Sequence, residues 1–247
     1  MTGARRAALV TGASRGIGRA IARRLAREGY DLTLTARDGD ALRAAAEEFA
    51  RLGARTEVAV GDMSDEDAVR SVADVHRAAY GRLDALVVSA GVGSSAPLGG
   101  YPMHRFDKQF TVNVRAPFVL IDACLDLLRE TVTLSPETGT KIVAISSITA
   151  FAPEPGLAAY GASKAALVAL CEAVNTEVSV AGVAATAICP GYVDTDMSAW
   201  MHERLAPTEM VTSEDIAELV LALTRTSRRA VVPHLPVVRA GSELWRA

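Results

Sequence analysis

Short runs rich in Val, Leu, Ile and Ala alternate along this chain with longer helical stretches, and that alternation is the signature of parallel βαβ units. The runs that read as strands are residues 7–10, 31–35, 56–60, 85–89, 141–146, 184–188 and 230–238. Between them, residues 16–28, 41–52, 66–80, 114–130, 157–180 and 213–224 read as helices, with Asp40, Ser64 and Thr212 as the expected caps. Strands buried on both faces need no polar alternation, which explains their uniformly apolar character. The expected fold is α/β: a doubly wound, seven-stranded, mainly parallel sheet with helices on both faces and its ligand site outside the carboxyl ends of the strands. No linker or repeat interrupts the rhythm, so residues 1–247 are expected to form one domain.

The first strand runs into Thr11-Gly12-Ala13-Ser14-Arg15-Gly16-Ile17-Gly18. Glycines so placed let the backbone turn tightly, approach a pyrophosphate and open a helix whose N-terminus attracts anions, so the sheet reads as a Rossmann dinucleotide domain. An NAD site usually carries an acid at the end of the second strand, for the ribose hydroxyls. The sequence there is Thr35-Ala36-Arg37-Asp38. Ala36 offers no carboxylate, whereas Arg37, helped by Arg15, presents a planar fork suited to a 2′-phosphate. NADP(H) is therefore expected over NAD(H), with Asp38 as the competing acid if it does not cap the next helix.

Composition removes other classes. Half of the residues are hydrophobic, and 26 basic against 29 acidic residues give a net charge of −3, which offers no basic field for nucleic acid or anionic lipid. Apolar runs such as residues 116–121 fall far short of the roughly 20 residues of a membrane span, and the stretch after Arg5 and Arg6 is too short for a secretory signal. Cys124, Cys171 and Cys189 lack metal-type or redox-type spacing, so no metal is expected and a reducing cytoplasm is the expected compartment.

Tyr160 and Lys164 stand four apart in a helical stretch and share a face. A cation about 4 Å from a phenol, at an effective dielectric of about 20, contributes on the order of 4 kcal/mol towards the phenolate, and Lys164 is expected to lower the Tyr160 pKa in this way. Ser147, at the end of a strand, is placed to hold a substrate oxygen, while Ser146 points to the other side of the pleat. Pro117 has no N–H, so in a continuous helix the Asn113 carbonyl loses its ordinary donor and is open to a water.

Together these segments resemble the short-chain dehydrogenase/reductase family over about residues 7–224, particularly its 3-oxoacyl reductase-like and carbonyl reductase members. TGASRGIG is similar to the family's cofactor loop and YGASK to its Tyr-x-x-x-Lys pair. The resemblance implies Asn113, Ser147, Tyr160 and Lys164 as the catalytic set. It implies cofactor contacts at Gly12, Ser14, Arg15, Gly16, Ile17, Gly18, Arg37, Asp62, Met63, Ala90, Gly91, Tyr160, Lys164, Pro190, Gly191, Val193 and Thr195. Hydride transfer to a ketone or 3-oxoacyl carbonyl, with Tyr160 as proton donor, is the implied reaction. An alcohol, sugar or steroid dehydrogenase running in the oxidising direction and a non-catalytic NADP(H)-binding sensor or scaffold are the alternatives.

Two departures from the family pattern stand out: Ser89-Ala90-Gly91 in place of Asn-Ala-Gly, and a C-terminal run, VVPHLPVVRAGSELWRA, without Asn-Gly-Gly. Residues 175–182 show no arginine of the kind that docks a carrier protein. The substrate wall is expected from residues 93–101 and 151–157 and from a lid at 192–211, where Met197, Trp200, Met201, Leu205 and Met210 suggest a fairly apolar carbonyl compound. A homodimer or homotetramer built on the two long helices is the implied assembly.

Overall fold

A computed structural model of the chain describes residues 5–242, and the ends of the expected domain and of the C-terminal run lie outside the described residues. Seven parallel strands form one sheet in the order β3-β2-β1-β4-β5-β6-β7: β1 (Ala7–Thr11), β2 (Asp31–Ala36), β3 (Thr56–Val60), β4 (Ala85–Val88), β5 (Thr140–Ile145), β6 (Val183–Pro190) and β7 (His234–Val237). Every pairing is parallel. The chain leaves β1 towards β2 on one side and, after β3, returns to place β4 on the other. The crevice above β1 and β4 is therefore the point where the strand order reverses, the ligand position of open α/β sheets.

Helices cover both faces. On one lie α1 (Gly16–Arg27), α2 (Gly39–Arg51) and α7 (Ser213–Arg225), whose Ile21, Leu25, Leu42, Phe49, Ile216 and Val220 pack with Leu32, Leu34 and Val143 from the strands. On the other lie α3 (Glu66–Tyr80), α5 (Ala116–Val132) and α6 (Ala158–Val178), with Val69, Val72, Leu120, Leu127, Leu167 and Cys171 against Leu86, Ile142 and Ala185. The five interior strands β1, β2, β4, β5 and β6 are buried almost throughout. Edge strand β3 alternates more exposed and more buried residues, and β7 is half-buried and shorter than the expected 230–238.

Several expectations are corrected. Asp38, not Asp40, caps α2: its carboxylate accepts the Ala41 N–H at 3.0 Å, while Asp40 already lies within the first turn. Asp65, not Ser64, caps α3, because Ser64 turns its N–H and hydroxyl onto Asp62. Thr212 caps α7 as expected, reciprocally with Asp215. The helix expected at 114–130 begins much earlier, as α4 (Met103–Phe110), passes through one wide π turn over Thr111–Arg115, and continues as α5. In that turn the Ala116 N–H bonds back to the Thr111 carbonyl, so the ladder steps over one extra residue just before Pro117. Among the described residues no helix is long and apolar enough to cross a membrane.

Candidate active site

The loop between β1 and α1 is shaped by what a side chain would hit. Gly12 has φ +66°, and a Cβ there would stand 3.0 Å from the Ala90 backbone. At Gly18 a Cβ would fall 2.3 Å from the Gly12 carbonyl oxygen, so α1 can approach β1 this closely only with glycine. Unlike α2, α3 and α7, helix α1 has no side-chain cap and no acid in its first turn, which leaves its N–H groups and positive end for an anion. Thr11 braces the neighbouring strand by accepting the Ser89 and Ala90 N–H groups at 3.0 and 2.9 Å. With Ser89 in place of the usual Asn, the link between the ends of β1 and β4 is made by Thr11.

At the end of β2, Arg37 and Asp38 are exposed, and Asp38 is committed to its cap. Asp62 lies at the end of β3. The Ser64 N–H holds its carboxyl below the ordinary carboxylate range, the Ser64 hydroxyl adds to this, and Arg37 and Lys108 contribute at longer reach. The Met63 side chain is buried in the core. Arg15 extends from the glycine loop to Asp196 at 2.8 Å, a pair largely exposed and so weakened by solvent.

The four residues of the expected catalytic set converge. Ser147 leaves β5 in extended conformation, buried, its Oγ accepting the Thr149 N–H and hydroxyl. Ser146 points the other way, its hydroxyl donating to the Lys164 carbonyl at 2.9 Å. Ser147 lies near enough to the Tyr160 phenol to favour its ionised form. The Lys164 ammonium, buried, donates to the Ile145 carbonyl at 2.8 Å and stands 5.7 Å from the centre of the Tyr160 ring. Asn113, wholly buried in the π turn, clasps Val92 through both its carbonyl and its N–H at 2.9 Å and donates to Ser163 Oγ at 3.0 Å; Ser163 in turn donates to the Tyr160 carbonyl. A Cβ on Gly91 would meet Lys164 Nζ at 3.3 Å and Asn113 Oδ1 at 3.4 Å, so this glycine keeps a space open beside the amine.

The electrostatics differ from expectation. Burial pushes the Tyr160 phenol up to about 12, and Ser147 opposes this only in part. Burial also brings Lys164 down to about 8. The expected lowering of the phenol by the lysine is outweighed: desolvation is the larger influence on Tyr160, while one N–H of Lys164 is engaged by the Ile145 carbonyl.

Beyond β6, the Gly191 N–H closes onto the Val237 carbonyl, and Val193 pairs in parallel with Val211. Residues 192–211 thus form a loop pinned at both ends, with short 3₁₀ turns at Ala199–Met201 and Pro207–Glu209. Thr195 lies over the glycine loop, its methyl 3.4 Å from where a Gly16 Cβ would be. Met197 and Trp200 are exposed, whereas Met210, expected on the substrate wall, is buried. Sequence reasoning held Thr11 only as the first residue of the glycine motif and Glu154 only as part of the expected wall at 151–157, and it gave no role to Ser163 or Gln109. Of the last two, only Ser163 carried a signal, its place between Tyr160 and Lys164.

A family model described as short chain dehydrogenase matches residues 6–205. The chain belongs to the short-chain dehydrogenase family. It is 35% identical over 190 residues to the probable oxidoreductase EphD of Mycobacterium tuberculosis, and that match spans 77% of this chain and 31% of the longer relative. It is 36% identical over 213 residues to gluconate 5-dehydrogenase of Gluconobacter oxydans, covering 86% of this chain and 78% of the relative. Among solved structures, a short chain dehydrogenase from Burkholderia cenocepacia J2315 in complex with NADP superposes with a TM-score of 0.84 at 31% identity, over 96% of this chain and 97% of that one.

Proposed function

We propose that this protein is an NADP(H)-dependent oxidoreductase that reduces a ketone or 3-oxoacyl-type carbonyl to an alcohol. The observation that carries the reading is the convergence of Ser147, Tyr160, Lys164 and Asn113 beside the space kept open by Gly91. The B. cenocepacia relative's NADP complex supports the cofactor. So does the glycine cradle, whose positive-φ turn and close helix approach suit a pyrophosphate.

Gly12, Ser14, Arg15, Gly16, Ile17 and Gly18 would hold the pyrophosphate, Arg37 the 2′-phosphate, and Asp62 and Met63 the adenosine side. Ala90, Gly91, Tyr160 and Lys164 would flank the nicotinamide ribose, with Pro190, Gly191, Val193 and Thr195 at the carboxamide. A bound reduced nicotinamide supplies the hydride. Ser147 orients the substrate oxygen by hydrogen bonding, and Tyr160, whose phenol is protonated at neutral pH, gives its proton to that oxygen as negative charge develops there. Lys164 steadies the resulting phenolate, and Asn113 acts at one remove, locking residue 92 and Ser163 so that the helix turn carrying Tyr160 keeps its place.

The 192–211 loop is read as the substrate lid, with Met197 and Trp200 as apolar surface for a fairly apolar substrate. Three buried, unpaired cysteines suit the cytoplasm, and exposed Phe118 on α5 suits a homo-oligomer. The test is NADPH and NADH consumption over a carbonyl panel, with wild type beside Arg37→Ser. Selective NADPH turnover, with the preference reduced at least about 10-fold in the variant, supports the reading. No turnover of any carbonyl, or a preference indifferent to Arg37, contradicts it.

A further inference from the structure

Glu154 is a carboxylate at the rim of a site otherwise read as apolar. It follows Ser147 in the loop after β5, and its carbonyl accepts the Leu157 N–H in the turn that leads into Tyr160. Its Oε2 accepts the Tyr192 hydroxyl at 2.8 Å, which ties the loop after β5 to the start of the 192–211 loop. Burial and then Glu154 itself raise the Tyr192 phenol above its ordinary range, so its one proton stays committed to that bond. Oε1 has no hydrogen-bond partner among the described residues.

The opposite wall fixes how far this carboxylate stands from the chemistry. Gly93 lies against the Tyr160 ring, 3.3 Å from a Cβ position, and the Ala96 N–H bonds the Gly156 carbonyl at 3.0 Å. The segment from Gly93 to Ala96 spans at most about 11 Å, so the Glu154–Gly156 turn is tied to the Tyr160 ring by a short stretch of chain, within the reach of one extended substrate. That wall is also polar: Ser94 Oγ and the Tyr101 hydroxyl are 2.9 Å apart, and Gln109 donates to Tyr101 at 2.7 Å.

We propose that Glu154 is a specificity-determining residue whose free oxygen accepts a hydrogen bond from a hydroxyl of the substrate, so that the preferred substrate is a neutral hydroxy ketone and not a plain ketone or an oxo acid. The inference rests on the carbonyl-reductase reading and narrows its substrate class. An ionised carboxylate is acceptor-only, so it rewards a donor, leaves an unmet group against a plain ketone and repels an anion. Arg204, which acts on the Tyr192 phenol, is the nearby cation that moderates this repulsion.

The test uses hydroxy ketones with the hydroxyl one to five carbons from the carbonyl, each matched with its deoxy ketone, on wild type, Glu154→Ala and Tyr192→Phe with NADPH. Wild type should favour at least one hydroxy ketone by about 10-fold or more in kcat/KM. Glu154→Ala should lose that preference, its kcat/KM falling about 10-fold more on the hydroxy ketone than on the deoxy ketone, and its remaining turnover of the deoxy ketone shows that it folds. Tyr192→Phe should keep the preference, because the carboxylate remains. Equal use of the two ketones by wild type, a preference that survives Glu154→Ala, or one lost equally in Tyr192→Phe overturns the inference while leaving carbonyl reduction standing. Failure to reduce any ketone overturns both.

Discussion

Lys164 is protonated in a place where water does not reach it, and that has a cost that can be read against pH. Burial lowers its pKa to about 8 from an ordinary 10.5. Between those values the unfolded chain binds more protons than the folded one, so folding stability rises with pH across this window, and the penalty is fully present below pH 8. The wild type should therefore gain on Lys164→Met by on the order of 3 kcal/mol between pH 8 and 10.5. Urea unfolding of both proteins at several pH values checks this, and parallel curves would show that the ammonium is not desolvated. Legibility at this scale was uneven. Tyr160 and Lys164 were readable from their spacing, but the direction of the phenol shift was not, because spacing reports which face two side chains share and not which group each one bonds. Glu154 was legible only as part of the expected wall at 151–157 and not as a residue with its own role, since a single acid in a loop has no pattern and its bond to Tyr192 closes across a gap of 38 residues.

Elements are held in register by a few polar contacts that the apolar pattern does not encode. His76 on α3 sits 2.8 Å from Thr33 Oγ1 in β2 and 2.9 Å from the Arg82 carbonyl ahead of β4, and it is buried, with its pKa brought down to about 4 by desolvation. Between pH 6.5 and 4 the unfolded chain takes up a proton that the folded one refuses, so this clip is intact above pH 6.5 and its stability is lost as pH falls towards 4. The denaturation midpoint of the wild type should fall more steeply over that window than that of His76→Gln, and equal slopes would contradict the assignment. Gly18→Ala should cost about 1–3 kcal/mol and weaken NADPH binding, because its Cβ meets the Gly12 carbonyl and backbone atoms cannot swing away. Calorimetric melting with and without NADPH measures both effects. The sheet was legible because buried parallel strands are continuous apolar runs. Helix α4 was missed although Met103, Phe106 and Phe110 stand at i, i+3 and i+7, because eight residues are too few for that period to stand out and only Gln109 in it is buried. The π turn was missed because it is a matter of one extra residue in the hydrogen-bond ladder, although Pro117 marked its neighbourhood.

At the scale of the whole molecule, topology does most of the positioning. Because the strand order reverses between β1 and β4, the glycine loop, Gly91, Ser147 and the Tyr160 helix turn are delivered to one edge of the sheet, while the 192–211 loop is pinned over that edge by the Val193–Val211 pair. Phosphate cradle and proton donor thus come from segments far apart in sequence that the parallel order makes neighbours. The most direct test of this arrangement separates binding from chemistry in Tyr160→Phe. The account predicts that the variant still binds NADPH while its kcat for ketone reduction falls by at least about 10²-fold, the share expected of a positioned proton donor. Retained turnover in a variant that still binds NADPH would contradict the account, since Tyr160 would then only pack beside Ser147.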